Sequence, residues 1–173
     1  GIIVDGRLYA GANDTAGEFG HMILLPDGPP CGCGNKGCWE ALGSGPALAR
    51  MAAAKIESGA ETRIRELAAN NAGQITAELI VKAASCGDAV ALELLAVNGY
   101  YNALGIANLV NAFDPEAVII GGGVSFNGDY FFQPLRKSLK MFKLLNTRNT
   151  IEILRAGCQA DAGLLGAVSL VLP

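Results

Sequence analysis

Residues 17–40 read "GEFGHMILLPDGPPCGCGNKGCWE". The stretch holds the chain's only histidine, His21, its only tryptophan, Trp39, and three of its five cysteines, Cys31, Cys33 and Cys38. Pro26 to Gly37 carries three prolines and four glycines, which excludes regular structure there. A loop that cannot build its own core needs another source of order, and its ligand set offers one. Zinc takes four thiolate or imidazole ligands in a tetrahedron, with Zn–S near ~2.3 Å and Zn–N near ~2.0 Å. Cys31-x-Cys33 puts two thiolates on one bend, and Gly32, Gly34 and Gly37 let the backbone close around the sulfurs before Cys38 returns. His21, Cys31, Cys33 and Cys38 would fill the shell, so the expected ion is structural. The competing reading, buried free thiols beside a core histidine, fits three cysteines within eight positions less well.

Outward from this loop, composition sets limits. The chain has 173 residues, 51% of them hydrophobic and 17% charged, which suits one packed domain. A net charge of −3 with scattered basic residues excludes a cationic footprint for nucleic acid or an anionic membrane. No apolar run approaches the roughly 20 residues of a bilayer-spanning helix. The opening "GIIVDGRLYAG" has no initiator methionine and no basic leader, as expected for a piece of a longer protein. Cysteines clustered for metal, without an export signal, suggest a reducing cytoplasm.

Elements alternate along the chain. "IIVDGRLYAG" predicts a hairpin turning at Asp5-Gly6, and Phe19 to Leu25 a further strand. Helical pattern begins at Cys38, restarts after a Ser44 cap with Pro46 in the first turn, and recurs over Thr76 to Ser85. Asp88 caps a long helix with Val90, Leu94, Val97, Tyr101, Leu104, Asn108 and Asn111 at helical spacings, ended by "DPE" at 114–116. "AVIIGGGVS" is a buried strand leaving into a glycine turn. "FFQPLRKSLKMFKLL" is a helix with an internal proline, "TIEILRA" a strand and "DAGLLGAVSLVL" a closing helix. The expected class is α/β.

Two carboxylates flank the cysteine loop, Glu18 in "GEFGH" and Glu40 in "CWE". Ionised carboxylates accept hydrogen bonds well from sugar hydroxyls, though each alone reads more readily as a solvated surface charge. Glu18-x-Gly-His21 followed by Cys31-x-Cys33-Gly-x-x-Gly-Cys38-x-Glu40 resembles the hallmark of the ROK family of bacterial repressors and sugar kinases. The resemblance extends to "GIIVDGRLYAGANDTAGEFGHM", "NAFDPEAVIIGGGVS" and "DAGLLGAVSLVL".

That resemblance implies a single C-terminal lobe over residues 1–173. The lobe would be RNase H-like, of the actin-like ATPase kind, with an inserted zinc loop and extra helices. It implies His21, Cys31, Cys33 and Cys38 as zinc ligands, and Glu18, His21 and Glu40 as binders of a hexose. Gly121, Gly122 and Gly123 would lie against the adenosine of Mg-ATP; from the residues alone they equally form a tight turn. Asp161 to Gly166 would border the same site or simply cap a core helix. The D-x-G-G-T segment and base aspartate of the kinases are not in this sequence, so no catalytic residue is expected within it. The implied activity of the intact protein is ATP-dependent phosphorylation of glucose or a related hexose or N-acetylhexosamine, in a homodimer. The alternative is the sugar-sensing lobe of a ROK repressor; a third is a zinc-stabilised assembly module using the apolar helix from Leu94 to Val110.

Overall fold

The computed structural model of the chain describes residues 1–145, 150–158 and 161–169. The hairpin forms where expected: β1 (Ile3–Val4) and β2 (Arg7–Leu8) pair antiparallel, with Asp5 and Gly6 at positive φ in the turn. Phe19 to Leu25 is not a strand. Phe19–His21 winds into one 3-10 turn, and only Ile23 makes a single bridge, to Cys38. His21 N–H and Met22 N–H bond back to Glu18 and Phe19 carbonyls, so the backbone groups a strand would offer a neighbour are used locally.

Seven α-helices follow among the described residues: α1 (Trp39–Gly43), α2 (Gly45–Glu57), α3 (Arg63–Leu67), α4 (Ala77–Ser85), α5 (Ala89–Phe113), α6 (Asp129–Leu139) and α7 (Ala162–Ser169). The caps expected at Ser44 and Asp88 are in place: Ser44 Oγ accepts from Ala47 N–H and Asp88 Oδ1 from Ala91 N–H. Thr76, expected as the first residue of its helix, is instead its cap, Oγ1 accepting from Leu79 N–H. Residues 170–172 of the expected closing helix lie outside the described residues. Between α5 and α6 runs β3 (Ala117–Ile120), and β4 (Glu152–Arg155) pairs with it in parallel, Ala117 opposite Glu152. The α/β class holds, with the four strands arranged as two separate pairs.

Helix α5 is the spine, 25 residues and roughly 38 Å long. Its first half closes one core with Leu48 and Ala52 of α2, Ile64 of α3 and Ile80 of α4. Its second half closes another with Phe131, Phe132 and Leu135 of α6 and Ile153 of β4. Each fully buried Leu or Ile contributes about 1.5–3 kcal/mol. Of the helically spaced positions expected on α5, only Leu94 is fully buried; Asn108 and Asn111 face solvent. The buried face instead runs through Ala91, Leu95, Asn98, Asn102, Ile106 and Val110. Close approach selects that face. Gly99 lies against the Pro134 backbone and Gly105 under the Trp39 ring, positions where a Cβ would collide. One face of the stretch Leu94 to Val110 is therefore packed within the chain, while Ala96, Tyr100 and Asn108 stay exposed.

Candidate metal centre and adjoining cleft

The cysteine loop is built from short backbone bonds. Cys31 N–H donates to Asn35 O at 2.8 Å and Gly34 N–H to Cys31 O at 3.0 Å, making the bend that carries two thiols. Gly37 sits at φ +67°, and the space of its missing side chain is filled by the Leu25 carbonyl. Leu24 N–H donates to Gly37 O at 2.9 Å and Trp39 N–H to Met22 O at 2.8 Å. These bonds pin the 3-10 turn of His21 against the returning strand of the loop.

The ligand atoms of His21, Cys31, Cys33 and Cys38 all lie within 4.8 Å of one another. His21 Nδ1 is 3.6 Å from Cys31 Sγ, and Cys33 Sγ is 3.6 Å from Cys38 Sγ. Bonds of ~2.3 Å in a tetrahedron give edges of about 3.8 Å, so these four residues can hold one zinc-sized ion. The Asn35 backbone N–H, against the opposing effect of burial, brings the Cys33 thiol down to about 7. Burial, then the neighbouring thiols, pushes the Cys38 thiol up to about 12. Cys38 has no solvent exposure, and a cation is what would favour its thiolate.

With Nδ1 turned to the thiols, His21 presents Nε2 to Glu18, whose Oε2 is 3.9 Å away. Glu40, in the first turn of α1, comes to the same place: a Cβ on Gly20 would lie 3.5 Å from Glu40 Oε2. Glu18 and Glu40 are both exposed, as groups that meet a ligand from solvent must be. The positive end of α1 favours the Glu40 charge. Glu18, His21 and Glu40, spread over 23 positions of sequence, thus gather around the Gly20 backbone.

A separate cleft of about 860 Å³ opens at the glycine turn. Gly121, Gly122 and Gly123 form one side, with Gly122 at φ +82°. The starts of α2 and α4, at Gly43–Pro46 and Thr76–Glu78, form others, and Asn102 of α5 also lines it. The volume suits a small-molecule ligand. Asp161 to Gly166 does not line it; that segment is exposed. The contributions of Ser44, Thr76 and Asn102 were not evident from sequence. Ser44 signals only a helix cap there and Thr76 only a helix start, and Asn102 has no local motif.

The sequence matches the ROK family over residues 1–173. The chain belongs to the ROK family. It is 36% identical over 172 residues to the glucokinase of Halalkalibacterium halodurans, covering 99% of this chain and 52% of that protein. It is also 33% identical to the xylose repressor of Caldicellulosiruptor bescii, covering 99% and 43%. The ROK glucokinase of Streptomyces griseus, solved in complex with glucose and AMPPNP, superposes with a TM-score of 0.87 at 36% identity, covering 97% of this chain and 55% of that one. This ROK chain spans about half the length of the relatives it matches. Among its described residues no helix is long and apolar enough to cross a membrane.

Proposed function

We propose that residues 1–173 form the sugar- and nucleotide-binding C-terminal lobe of a ROK hexose kinase, RNase H-like in architecture. The carrying observation is the gathering of Glu18, His21 Nε2 and Glu40 beside the ring nitrogen that faces three thiols. Likeness to a glucokinase solved with glucose and AMPPNP supports glucose and Mg-ATP as ligands.

The resident ion we assign is zinc on His21, Cys31, Cys33 and Cys38, where it supplies rigidity rather than bond chemistry. His21 then has one fixed tautomer, because Nδ1 is committed and Nε2 carries the proton. Nε2–H donates to a sugar oxygen, while the Glu18 and Glu40 carboxylates accept from hydroxyls. Hydroxyl-specific contacts of this kind discriminate strongly, since an analogue lacking the hydroxyl leaves a polar group unpaired. The Gly121–Gly123 turn lets adenosine approach the backbone in the 860 Å³ cleft. Phosphoryl transfer is largely positioning plus charge neutralisation, and it needs a base for the hydroxyl proton. We place that base outside these residues, which contain no D-x-G-G-T segment.

Calorimetric titration with glucose tests the sugar site. Glu18→Ala and Glu40→Ala should each weaken binding about tenfold while the circular dichroism spectrum is retained, the loss expected for one charged hydrogen bond. Equal affinity in wild type and both variants rejects the assignment. The likeness to xylose repressors supports a second reading, a sugar-sensing lobe. Glucose or xylose binding without any AMPPNP binding would select it.

A further inference from the structure

Asn102 stands in the wall between two cavities. It lines the glycine-turn cleft, and together with Trp39 it lines an apolar slot of about 470 Å³ beside β3. Its Nδ2 donates to Asn98 O at 2.9 Å and Asn98 Oδ1 at 3.1 Å on its own helix, and at the two ends of one short helix the amide meets two partners of opposite kind. Oδ1 accepts from Trp39 Nε1–H at 3.0 Å, and Nδ2 donates to the Gly43 carbonyl at 3.0 Å. An indole N–H only donates and a carbonyl only accepts, so one amide orientation satisfies both.

Trp39 and Gly43 are the first and last residues of α1. This helix is five residues long, and its N-cap, Cys38, makes no side-chain capping bond. A helix so short does not hold itself. One asparagine from α5 therefore grips it at both ends. Asn98, one turn earlier on α5, adds a second bond to Gly43 O at 2.9 Å. The Trp39 ring is further confined by Gly105, whose lack of a side chain makes the room it occupies. The first end of α1 adjoins metal ligand Cys38 and carries Glu40. The last end runs through Gly43 and Ser44 into the nucleotide cleft.

We propose that Asn102 is a positioning residue for both sites at once: it sets Glu40 for the hexose and the Gly43–Ser44 wall for the nucleotide. This rests on the function proposed above. Its signature is a split between the two ligands. Trp39→Phe removes only the bond at the first end; Asn98→Ala removes its own bond to Gly43 O and the one that Asn98 Oδ1 accepts from Asn102 Nδ2 at 3.1 Å, leaving the Trp39 bond in place; Asn102→Ala removes the Asn102 bonds at both ends.

The test uses the zinc-loaded 173-residue chain, with glucose and AMPPNP affinities measured by calorimetry. Two readouts need no organic ligand: zinc release to a chelator, and hydrogen exchange of Ser44 N–H, which bonds Glu40 O at 3.2 Å. Trp39→Phe should weaken glucose about fivefold and speed zinc release, leaving AMPPNP unchanged. Asn98→Ala should weaken AMPPNP about fivefold and speed Ser44 exchange, leaving glucose unchanged. Asn102→Ala should do both. Equal losses for both ligands in all three variants, or zinc release and Ser44 exchange as in wild type, overturn the proposal. If Asn102→Ala does not fold, the two milder variants decide. If wild type binds neither ligand the kinase reading falls, and the zinc and exchange arms still judge the clamp.

Discussion

At the scale of single residues, the candidate metal ligands were the most legible part of the chain. Cysteines at one-residue spacing among glycines have few other uses, and the structure draws His21 to them as the sequence implied. Cys38 is the member most dependent on an ion, being fully buried with its thiol pushed up to about 12. Cys38→Ser should therefore drop zinc from about one per chain, measured by elemental analysis after dialysis, to well below half. The thermal midpoint should fall with it, because the loop has no core to fall back on. A variant with wild-type zinc content and midpoint would show that Cys38 is only a buried hydrophobe. What sequence did not reveal is the pairing of Trp39 with Asn102 across 63 positions. Nothing local marks an asparagine on an apolar helix as a bracket rather than a solvated side chain. Gly105 tests that packing directly. Gly105→Ala drives a methyl into the Trp39 ring and should cost about 1–3 kcal/mol in urea unfolding, the usual price of overpacking, despite alanine's better helix propensity. A neutral or stabilising result would mean that the ring has space to move.

At the scale of elements, caps were legible and short connections were not. Ser44, Thr76 and Asp88 each announce a helix through an oxygen that satisfies a first-turn N–H. Phe19 to Leu25 misled because its apolar residues suit a strand, yet an extended segment needs a neighbour to pair with along its length. Helix α3 was missed for the opposite reason: five residues carry too little periodicity to stand out. Its start is fixed from elsewhere. Asp88 Oδ2 accepts from Thr62 Oγ1 at 2.9 Å and from Arg63 N–H at 2.7 Å, while Oδ1 caps α5. One carboxylate thus ties two helix starts together. Partial burial works to raise its pKa, but bonds from Ala91 N–H, Arg63 N–H and Thr62 O–H outweigh this and hold it below the ordinary aspartate range. A folded pKa below the unfolded one stabilises the fold above pH ~4, and the contribution is lost as pH falls through the folded value. Asp88→Ala should cost about 1–2 kcal/mol at pH 7 by the capping term alone. In urea unfolding at successive pH values, the gap between wild type and Asp88→Asn should shrink below pH ~4. A gap unchanged by acid would remove the charge from this account.

At the scale of the whole molecule, the α/β class and much of the element order were readable because α2, α4 and α5 bring their own side-chain caps and β3 a run of Val and Ile. The separation of the strands into two pairs was not, since a local pattern does not say which strands are neighbours. Gly1–Ile3 and Ala117–Gly121 line one apolar slot of about 470 Å³, with Phe19, Ile106 and Phe113 also facing it. Ile3 and Ile119 are two-thirds exposed, an unusual state for strand residues of this type. The same distribution bears on catalysis. In the proposed function Glu18, His21 and Glu40 hold hydroxyls, and His21 has one nitrogen turned to the thiols. An acceptor that orients a hydroxyl from the exposed side is not thereby aimed at the oxygen that must attack phosphorus in line. Among the described residues, those lining the cleft at the glycine turn include no Lys and one Arg, Arg50, which is engaged with the Ala41 carbonyl. The triphosphate charge therefore has little to meet it there. From these placements the 173-residue chain, loaded with zinc and mixed with Mg-ATP and glucose, should form no sugar phosphate above the uncatalysed background. Product should be read by ³¹P NMR over hours, with a full-length ROK glucokinase run alongside as the positive control. Turnover that disappears in Glu18→Ala or Glu40→Ala would overturn this, because it would make a side chain assigned to holding the sugar the base that deprotonates it.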